Sequence, residues 1–376
     1  MKGLLCVMMA LCLFVPIGGK AIAKETVKIG LITPLTGDVK TFGESIKNAF
    51  AIAVEEYSKK GKYTIQTVIA DDRNDPTEGA NAALKLVTQD KVAAIIGPAT
   101  SKVAIPVSVI ATQNKVPMIT GTATNPKVTV SEGKRKPYVF RACFIDPFQG
   151  VVAANFALKD LKAKTAAVLY DVSNDYSKGL GEYFKATFTR SNGKIVAFES
   201  YQKDDVDFSA LVTKVALKKP DVVFLPDYYN KVALIARQIR ERGIKAPLVG
   251  SDGWDSPELL KIGGSSIIGG YFVSHYSPDR KDPVAEAFIK TYKARHGIVP
   301  DALAALTYDA AGILFKALDA AKNPRSEELL KVLAPTKGYK GVTGTIGFDG
   351  NGDAVKSAVI LKVEKSGFTY TTTVNP

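Results

Sequence analysis

Two short polar loops, one helix length apart, each directly follow an apolar run of strand length. The first loop covers residues 97–101, after the run 92–96, and the second covers residues 120–124, after the run 116–119. Alternating strand and helix segments of this kind form parallel sheets, and open parallel sheets bind ligands at the carboxyl ends of their strands. We therefore predict that the two loops lie side by side at a ligand-binding edge.

The same alternation continues along most of the chain. Apolar residues recur at helical spacing in the stretches that separate the apolar runs, as at Ile46, Phe50 and Val54. A short strand at residues 138–141 breaks the rhythm, a second strand-and-helix series follows to Gly250, and the chain ends in helices and a β-rich segment. We predict an α/β protein with two lobes and several chain crossings between them.

The N-terminus has the pattern of a secretory signal peptide at residues 1–23. Lys2 precedes an apolar stretch at 4–17, and Ala21-Ile22-Ala23 forms an A-x-A cleavage pattern. The stretch is short for a membrane span. We expect cleavage after Ala23 and a soluble periplasmic protein, in which Cys143 is the only remaining cysteine and is buried.

The chain is basic, with a formal net charge of +13. The charges are dispersed, and the dense cluster at residues 134–136 has no interleaved aromatics, so we favour a solvated surface and predict no nucleic-acid partner. Only His275 and His296 are present, and neither stands near a candidate nucleophile in the sequence. We predict no metal, no cofactor and no catalytic residues.

The polar loops have the chemistry of a carboxylate site. Ser101, Thr122, Ala123 and Thr124 offer hydroxyls and backbone N–H groups close to a helix start, where an anion is favoured. An ordinary N-cap at Ser101 and a turn residue at Thr124 are the alternatives. We favour the site because two loops carry the same chemistry.

A carboxylate follows a strand of the second series. Asp252 comes just after the apolar run 247–250, which places it at the carboxyl end of a second-lobe strand. The alternative role is that of an Asx-turn residue before Gly253. A carboxylate on one wall and hydroxyl and N–H donors on the other suit a zwitterion that spans the space between the lobes.

Ordered motifs along nearly the whole mature chain resemble those of one family. They are the segments 27–37, 42–43, 71–72, 97–98, 117–119, 175–179, 250–254 and 348–353. In order and spacing they resemble the leucine/isoleucine/valine-type substrate-binding proteins of ABC transporters, which have the type I periplasmic binding protein fold. The resemblance implies two Rossmann-like lobes joined by three hinge crossovers, with the ligand in the interlobe cleft.

The resemblance also implies the lobe boundaries. The N-terminal lobe comprises residues 24–143 plus 277–345, and the C-terminal lobe comprises 144–276 plus 346–376. The usual disulfide of the family's first lobe is missing from this chain.

Individual site residues carry over by resemblance. Ser101 and the loop from Thr122 to Thr124 hold a ligand α-carboxylate, and Asp252, where many relatives carry Glu, pairs with an α-ammonium group. The aromatic positions follow: Tyr176 contacts the ammonium or the lid, Tyr228 covers the ligand, and Phe42 and Trp254 either line the pocket or pack in the core.

The resulting functional prediction is a monomeric binding protein, not an enzyme. It captures a small apolar or branched-chain amino acid by hinge closure and delivers it to an ABC permease. The alternatives keep the fold and change the role: a binder of an amide, a urea or an aromatic carboxylate, a ligand-sensing component, or an exported hydrolase.

Overall fold

The first lobe is built around a five-stranded sheet in which every strand pairing is parallel. The computed structural model describes residues 24–376, so the predicted signal peptide lies outside the described residues. The strand order in this sheet is β2-β1-β3-β4-β7, and β5 and β6 form a separate small hairpin. The elements up to the first chain crossing are β1 (Thr26–Thr33), α1 (Lys40–Lys60), β2 (Thr64–Asp71), α2 (Pro76–Lys85), β3 (Ala94–Ile96), α3 (Ser101–Gln113), β4 (Met118–Thr120), β5 (Val130–Ser131), β6 (Lys134–Arg135) and β7 (Val139–Arg141).

The second lobe is built around a seven-stranded mixed sheet with the order β16-β15-β12-β11-β10-β8-β9. The β12–β15 and β15–β16 pairings are antiparallel, and the other pairings are parallel. The elements between the first and second crossings are α4 (Asp146–Lys159), β8 (Thr165–Asp171), α5 (Asp175–Arg190), β9 (Lys194–Tyr201), α6 (Ser209–Lys218), β10 (Val222–Leu225), α7 (Tyr229–Glu241), β11 (Leu248–Gly250), α8 (Glu258–Gly263) and β12 (Tyr271–Ser274).

The chain then returns to the first lobe and leaves it again. Helix α10 packs along α1 and against β3 and β4, so that the stacked rings of Tyr57 and Phe315 lie 4.7 Å apart in the first-lobe core. The remaining elements are α9 (Pro283–His296), α10 (Ala302–Ala320), α11 (Ser326–Leu333), β13 (Tyr339–Gly341), β14 (Gly344–Ile346), β15 (Ala358–Glu364) and β16 (Gly367–Val374). Three crossings, after β7, β12 and β14, connect the lobes, as the predicted fold class requires.

Local sequence explains how these elements begin and where they are buried. Asp75 starts α2 by accepting hydrogen bonds from the backbone N–H groups of Thr77 and Glu78, and Pro76 occupies the first helical position. Strands β3, β4 and β10 are fully buried because helices cover both faces of each sheet. Their sequences are accordingly continuous apolar runs, which is why they were recognisable.

One helix is irregular and some elements were missed. Helix α2 ends at Lys85 and is followed directly by a wider, π-helical turn over Leu86–Asp90. The C-terminal β-rich segment is two hairpins, β13–β14 and β15–β16, and α8 and the β5–β6 hairpin were missed. Cys143 is buried and forms no disulfide within residues 24–376, as predicted. Within residues 24–376, the helices lack the combined length and apolar character needed to span a bilayer.

Candidate functional site

The two polar loops lie side by side because their strands are neighbours. Strands β3 and β4 pair in parallel register, and the loops that follow them are joined by hydrogen bonds. The Thr122 hydroxyl donates to the Ala99 carbonyl oxygen at 2.7 Å, and the backbone N–H of Asn125 donates to Ser101 Oγ at 3.1 Å. The predicted juxtaposition is therefore present, and the loops form one continuous wall.

Ser101 is positioned to donate outward from this wall. It is the first residue of α3, where backbone N–H groups have no partner within the helix and the helix dipole favours an anion. Its hydroxyl oxygen already accepts from Asn125, which leaves its hydrogen free for a ligand. The neighbouring Thr100 hydroxyl donates instead to Asn74 Oδ1 at 2.8 Å, so it does not cap the helix.

Asp252 forms the polar part of the opposite wall, at the carboxyl end of β11. Its Oδ1 accepts from Tyr176 Oη at 2.6 Å and from Gln149 Nε2 at 3.0 Å, and its Oδ2 lies 3.0 Å from His275 Nε2. These three partners are neutral side chains when the imidazole is unprotonated. Within the described part of the chain, neither a lysine nor an arginine forms a salt bridge with Asp252. Among residues 24–376, the buried carboxylate thus has hydrogen-bond donors but no cationic partner.

Burial sets the protonation of the groups around Asp252. Burial lowers the pKa of His275, which favours the neutral imidazole. Because a carboxylate oxygen only accepts hydrogen bonds, the neutral ring donates from Nε2, and Nδ1 has no partner among the described residues. Burial, with the nearby Asp252 carboxylate, raises the pKa of Tyr176 well above its ordinary value, so its hydroxyl remains a donor.

Aromatic rings close the space between the two walls. The rings of Tyr176 and Tyr228 are stacked, with centroids 5.1 Å apart, and Phe42 from the first lobe meets Tyr228 edge-on at 5.9 Å. All three rings line the cavity. Phe42 therefore takes the pocket-lining alternative of its two predicted roles.

The cavity is small and otherwise apolar. The space between its atoms, including space open to solvent, is about 380 Å³. The remaining wall comes from the start of α10 and from the first polar loop. The full lining consists of Phe42, Ala99, Thr100, Ser101, Thr122, Tyr176, Tyr228, Asp252, Gly253, His275, Ala302, Leu303 and Leu306.

Trp254 lies outside this lining and packs in the core, which was the second of its two predicted positions. Its side chain is completely buried, the indole N–H donates to the Leu225 carbonyl oxygen at 2.9 Å, and the ring packs over Gly250. At Gly250 a Cβ would overlap the indole. Trp254 is a core residue beneath the Asp252 loop.

Ala123 and Thr124 are also outside the lining. The Ala123 carbonyl oxygen accepts from Arg141 Nη1 at 2.7 Å, and the Thr124 carbonyl oxygen accepts from the backbone N–H of Asp146 at 3.0 Å. Both residues are buried. They support the second polar loop from behind, whereas Thr122 faces the cavity.

Sequence reasoning missed several lining residues and Gln149, which supports Asp252. His275 directly follows β12, so its place at a strand's carboxyl end was an available signal. Gln149 and the α10 residues Leu303 and Leu306 carried no such signal, because only the tertiary fold brings their helices to the cavity. Within residues 24–376, histidine, cysteine and acidic side chains do not gather into a group of three that could hold a metal.

Comparisons with known proteins agree with this fold. The family model described as periplasmic binding protein matches residues 26–367. The Leu/Ile/Val-binding protein BraC3 of Rhizobium johnstonii is 33% identical over 98% of this chain and 98% of its own length.

Two solved structures superpose closely on the chain. The leucine binding protein LivK of Thermotoga maritima has a TM-score of 0.89 and 39% identity, covering 93% of this chain and 99% of its own. LivJ of Streptococcus pneumoniae, solved in complex with isoleucine, has a TM-score of 0.88 and 32% identity, covering 94% of this chain and 100% of its own. On these matches, the chain belongs to the periplasmic binding protein family.

Proposed function

We propose that this protein binds a branched-chain or similarly small apolar amino acid for an ABC importer. The observation that carries the proposal is Asp252, a buried carboxylate whose hydrogen-bond partners among the described residues are neutral and which lines the same cavity as Ser101 at the start of α3. An α-ammonium group supplies the cation that Asp252 lacks, and an α-carboxylate takes the donors of the first lobe. The names of the related proteins support the same ligand class.

The apolar lining supports a small aliphatic side chain. Leu303 and Leu306 from α10 line the cavity together with the rings of Phe42 and Tyr228. Burial of aliphatic surface in such a space contributes roughly 25 cal/mol per Å². A charged ligand side chain would meet no charged partner among the described lining residues other than Asp252, which is assigned to the ligand's ammonium group.

Closure of the lobes is the proposed binding mechanism. The lobes touch beside the cavity, where Asn125 Nδ2 donates to the Asp175 carbonyl oxygen at 2.9 Å and Thr41 Oγ1 lies 3.2 Å from Ser256 Oγ. A ligand that binds both walls favours this arrangement over an open one. We place the moving parts at residues 24–143 plus 277–345 and at 144–276 plus 346–376.

The proposed setting is the periplasm, after cleavage behind Ala23. The protein acts there as a monomer that passes its ligand to a membrane permease, and its role is binding rather than catalysis. A ligand-sensing role would use the same site, and a pull-down that captures a receptor instead of a permease would reveal it.

A thermal-shift panel tests the ligand class. Purified mature protein is heated with L-leucine, L-isoleucine, L-valine, acidic and basic amino acids, benzoate and urea. A ligand at about a hundredfold excess over its Kd adds about 2.7 kcal/mol to the free energy of unfolding. We expect that gain from the branched-chain amino acids. Stabilisation by benzoate or urea alone would show that the ligand class is wrong, and calorimetry with the best ligand would reveal any turnover.

A further inference from the structure

His275 is a buried polar residue at a chain crossing. It follows β12 directly, at the start of the second crossing, and its side chain is almost completely inaccessible to solvent. Its Nε2 lies 3.0 Å from Asp252 Oδ2, and among the described residues no other group hydrogen-bonds to that oxygen. The imidazole therefore determines where one of the two carboxylate oxygens points.

The same imidazole packs on the first crossing. Its ring is stacked on Phe144, which lies between β7 and α4, with centroids 3.6 Å apart and planes 26° apart. Phe144 in turn contacts the edge of Phe148 in α4. His275 thus touches the carboxylate of Asp252 at one end and the first crossing along its face.

Gln149 fixes the other side of Asp252. It lies in the first turns of α4, just after the first crossing, and is fully buried. Its Nε2 donates to Asp252 Oδ1 at 3.0 Å, and its Oε1 accepts from the backbone N–H of Asp252 at 2.8 Å. This reciprocal pair holds both the side chain and the main chain of Asp252.

We propose that His275 and Gln149 are positioning residues for recognition of the ligand's ammonium group. They hold the Asp252 carboxylate in the orientation that faces the cavity and link it to the first and second crossings, so that the acid moves with the hinge. This inference rests on the proposed function. A carboxylate already held in its bound orientation loses less conformational freedom when the ligand arrives.

The test measures selectivity for the ammonium group, because a purely structural defect would weaken all ligands alike. Calorimetry gives the Kd of L-leucine and of 4-methylpentanoate, which is leucine without its amino group. His275→Phe keeps a ring to stack on Phe144 and loses the donor, and His275→Gln restores an N–H donor. Gln149→Met removes both amide contacts at similar volume, and His296→Phe, on the other histidine, is the matched control.

We expect His275→Phe and Gln149→Met to raise the Kd of leucine about tenfold and to leave that of 4-methylpentanoate within about twofold. His275→Gln should recover most of the loss, and His296→Phe should behave as the wild type. The positioning role would be overturned if the Kd of both ligands rose equally, or if the ratio of the two Kd values in both variants stayed as in the wild type. If His275→Phe fails to fold, Gln149→Met and His275→Gln decide.

The two Kd values of the wild-type protein distinguish a failure of the positioning role from a failure of the proposed function. If the wild type binds leucine far more tightly than 4-methylpentanoate and the variants have the same ratio of the two Kd values, only the positioning role is wrong. If wild type binds both equally, ammonium recognition itself is wrong and the positioning role fails with it.

Discussion

The two walls of the cavity carry different chemical groups. The first-lobe wall is a helix start and two loops, whose hydroxyls and backbone N–H groups carry no formal charge. The second-lobe wall is a single carboxylate, Asp252, held by three side chains from distant parts of the chain. The groups of the first wall are brought together by the order of the strands alone, whereas the orientation of Asp252 in the second wall depends on tertiary packing.

This difference predicts unequal tolerance to substitution. Main-chain donors remain when a side chain changes, so loss of one hydroxyl from the first wall leaves other donors in place. Loss of the carboxylate from the second wall leaves an ammonium group buried without a counter-charge, which is costly. Variants at the two walls should therefore differ in the size of their effect on affinity.

The largest effect is expected at Asp252. Asp252→Asn keeps the shape and removes the charge, and the Kd for L-leucine should rise by more than about a hundredfold. Calorimetry on the purified variant measures it. Asp160→Asn, at an exposed carboxylate, is the matched control and should bind as wild type. Undiminished affinity in Asp252→Asn would contradict the assigned role of the carboxylate.

A smaller loss is expected at Ser101. Ser101→Ala removes one hydroxyl donor to the carboxylate and leaves the N–H groups of the α3 start, so the Kd should rise by about tenfold. Ser209→Ala is the control, because Ser209 is likewise the first residue of a helix, α6, but is exposed. A loss at Ser101 as large as that at Asp252 would remove the distinction between the walls.

Trp254 should affect stability and not affinity. Trp254→Phe removes the indole donor to the Leu225 carbonyl oxygen, which keeps the hydrogen bond from the Asp227 N–H, and opens space beneath the Asp252 loop. The free energy of unfolding should fall by about 2–4 kcal/mol while the Kd for leucine changes by no more than about twofold. Urea unfolding and calorimetry measure the two. A large change in the Kd for leucine at unchanged stability would show that Trp254 belongs to the binding site.

The last comparison concerns the pH dependence of stability, with one buried acid from each lobe. Burial raises the pKa of Asp72 and of Asp227 to about 7, although each accepts a hydrogen bond, from the Asn74 N–H and the Tyr201 hydroxyl respectively. The folded state holds protons that the unfolded state releases above its pKa of 3.8. The free energy of unfolding should therefore fall as the pH rises from about 3.8 to about 7.

Asp72→Asn and Asp227→Asn test this dependence one lobe at a time. Each amide is neutral at every pH, so each variant should lose stability less steeply than wild type between about pH 5 and pH 7. Urea unfolding of the ligand-free proteins gives the slopes. A slope as steep as that of wild type in both variants would show that these two carboxyls do not carry the dependence.

The sequence predicted most of the fold because buried parallel strands are continuous apolar runs. Ser101, Thr122 and Asp252 were found because each follows such a run, and strand ends gather at one edge. Trp254 was ambiguous because an aromatic residue beside a site has the same local pattern whether it faces the pocket or the core. Leu303, Leu306 and Gln149 lie inside helices, and only packing shows that those helices reach the cavity.

The central claim is that the protein recognises both charges of an amino acid, one on each wall. Calorimetry of the wild-type protein with L-leucine, 4-methylpentanoate and L-leucinamide tests it most directly, since the second lacks the ammonium group and the third lacks the carboxylate. We predict that each analogue binds at least about a hundredfold more weakly than leucine. Binding of 4-methylpentanoate as tightly as leucine would contradict the claim.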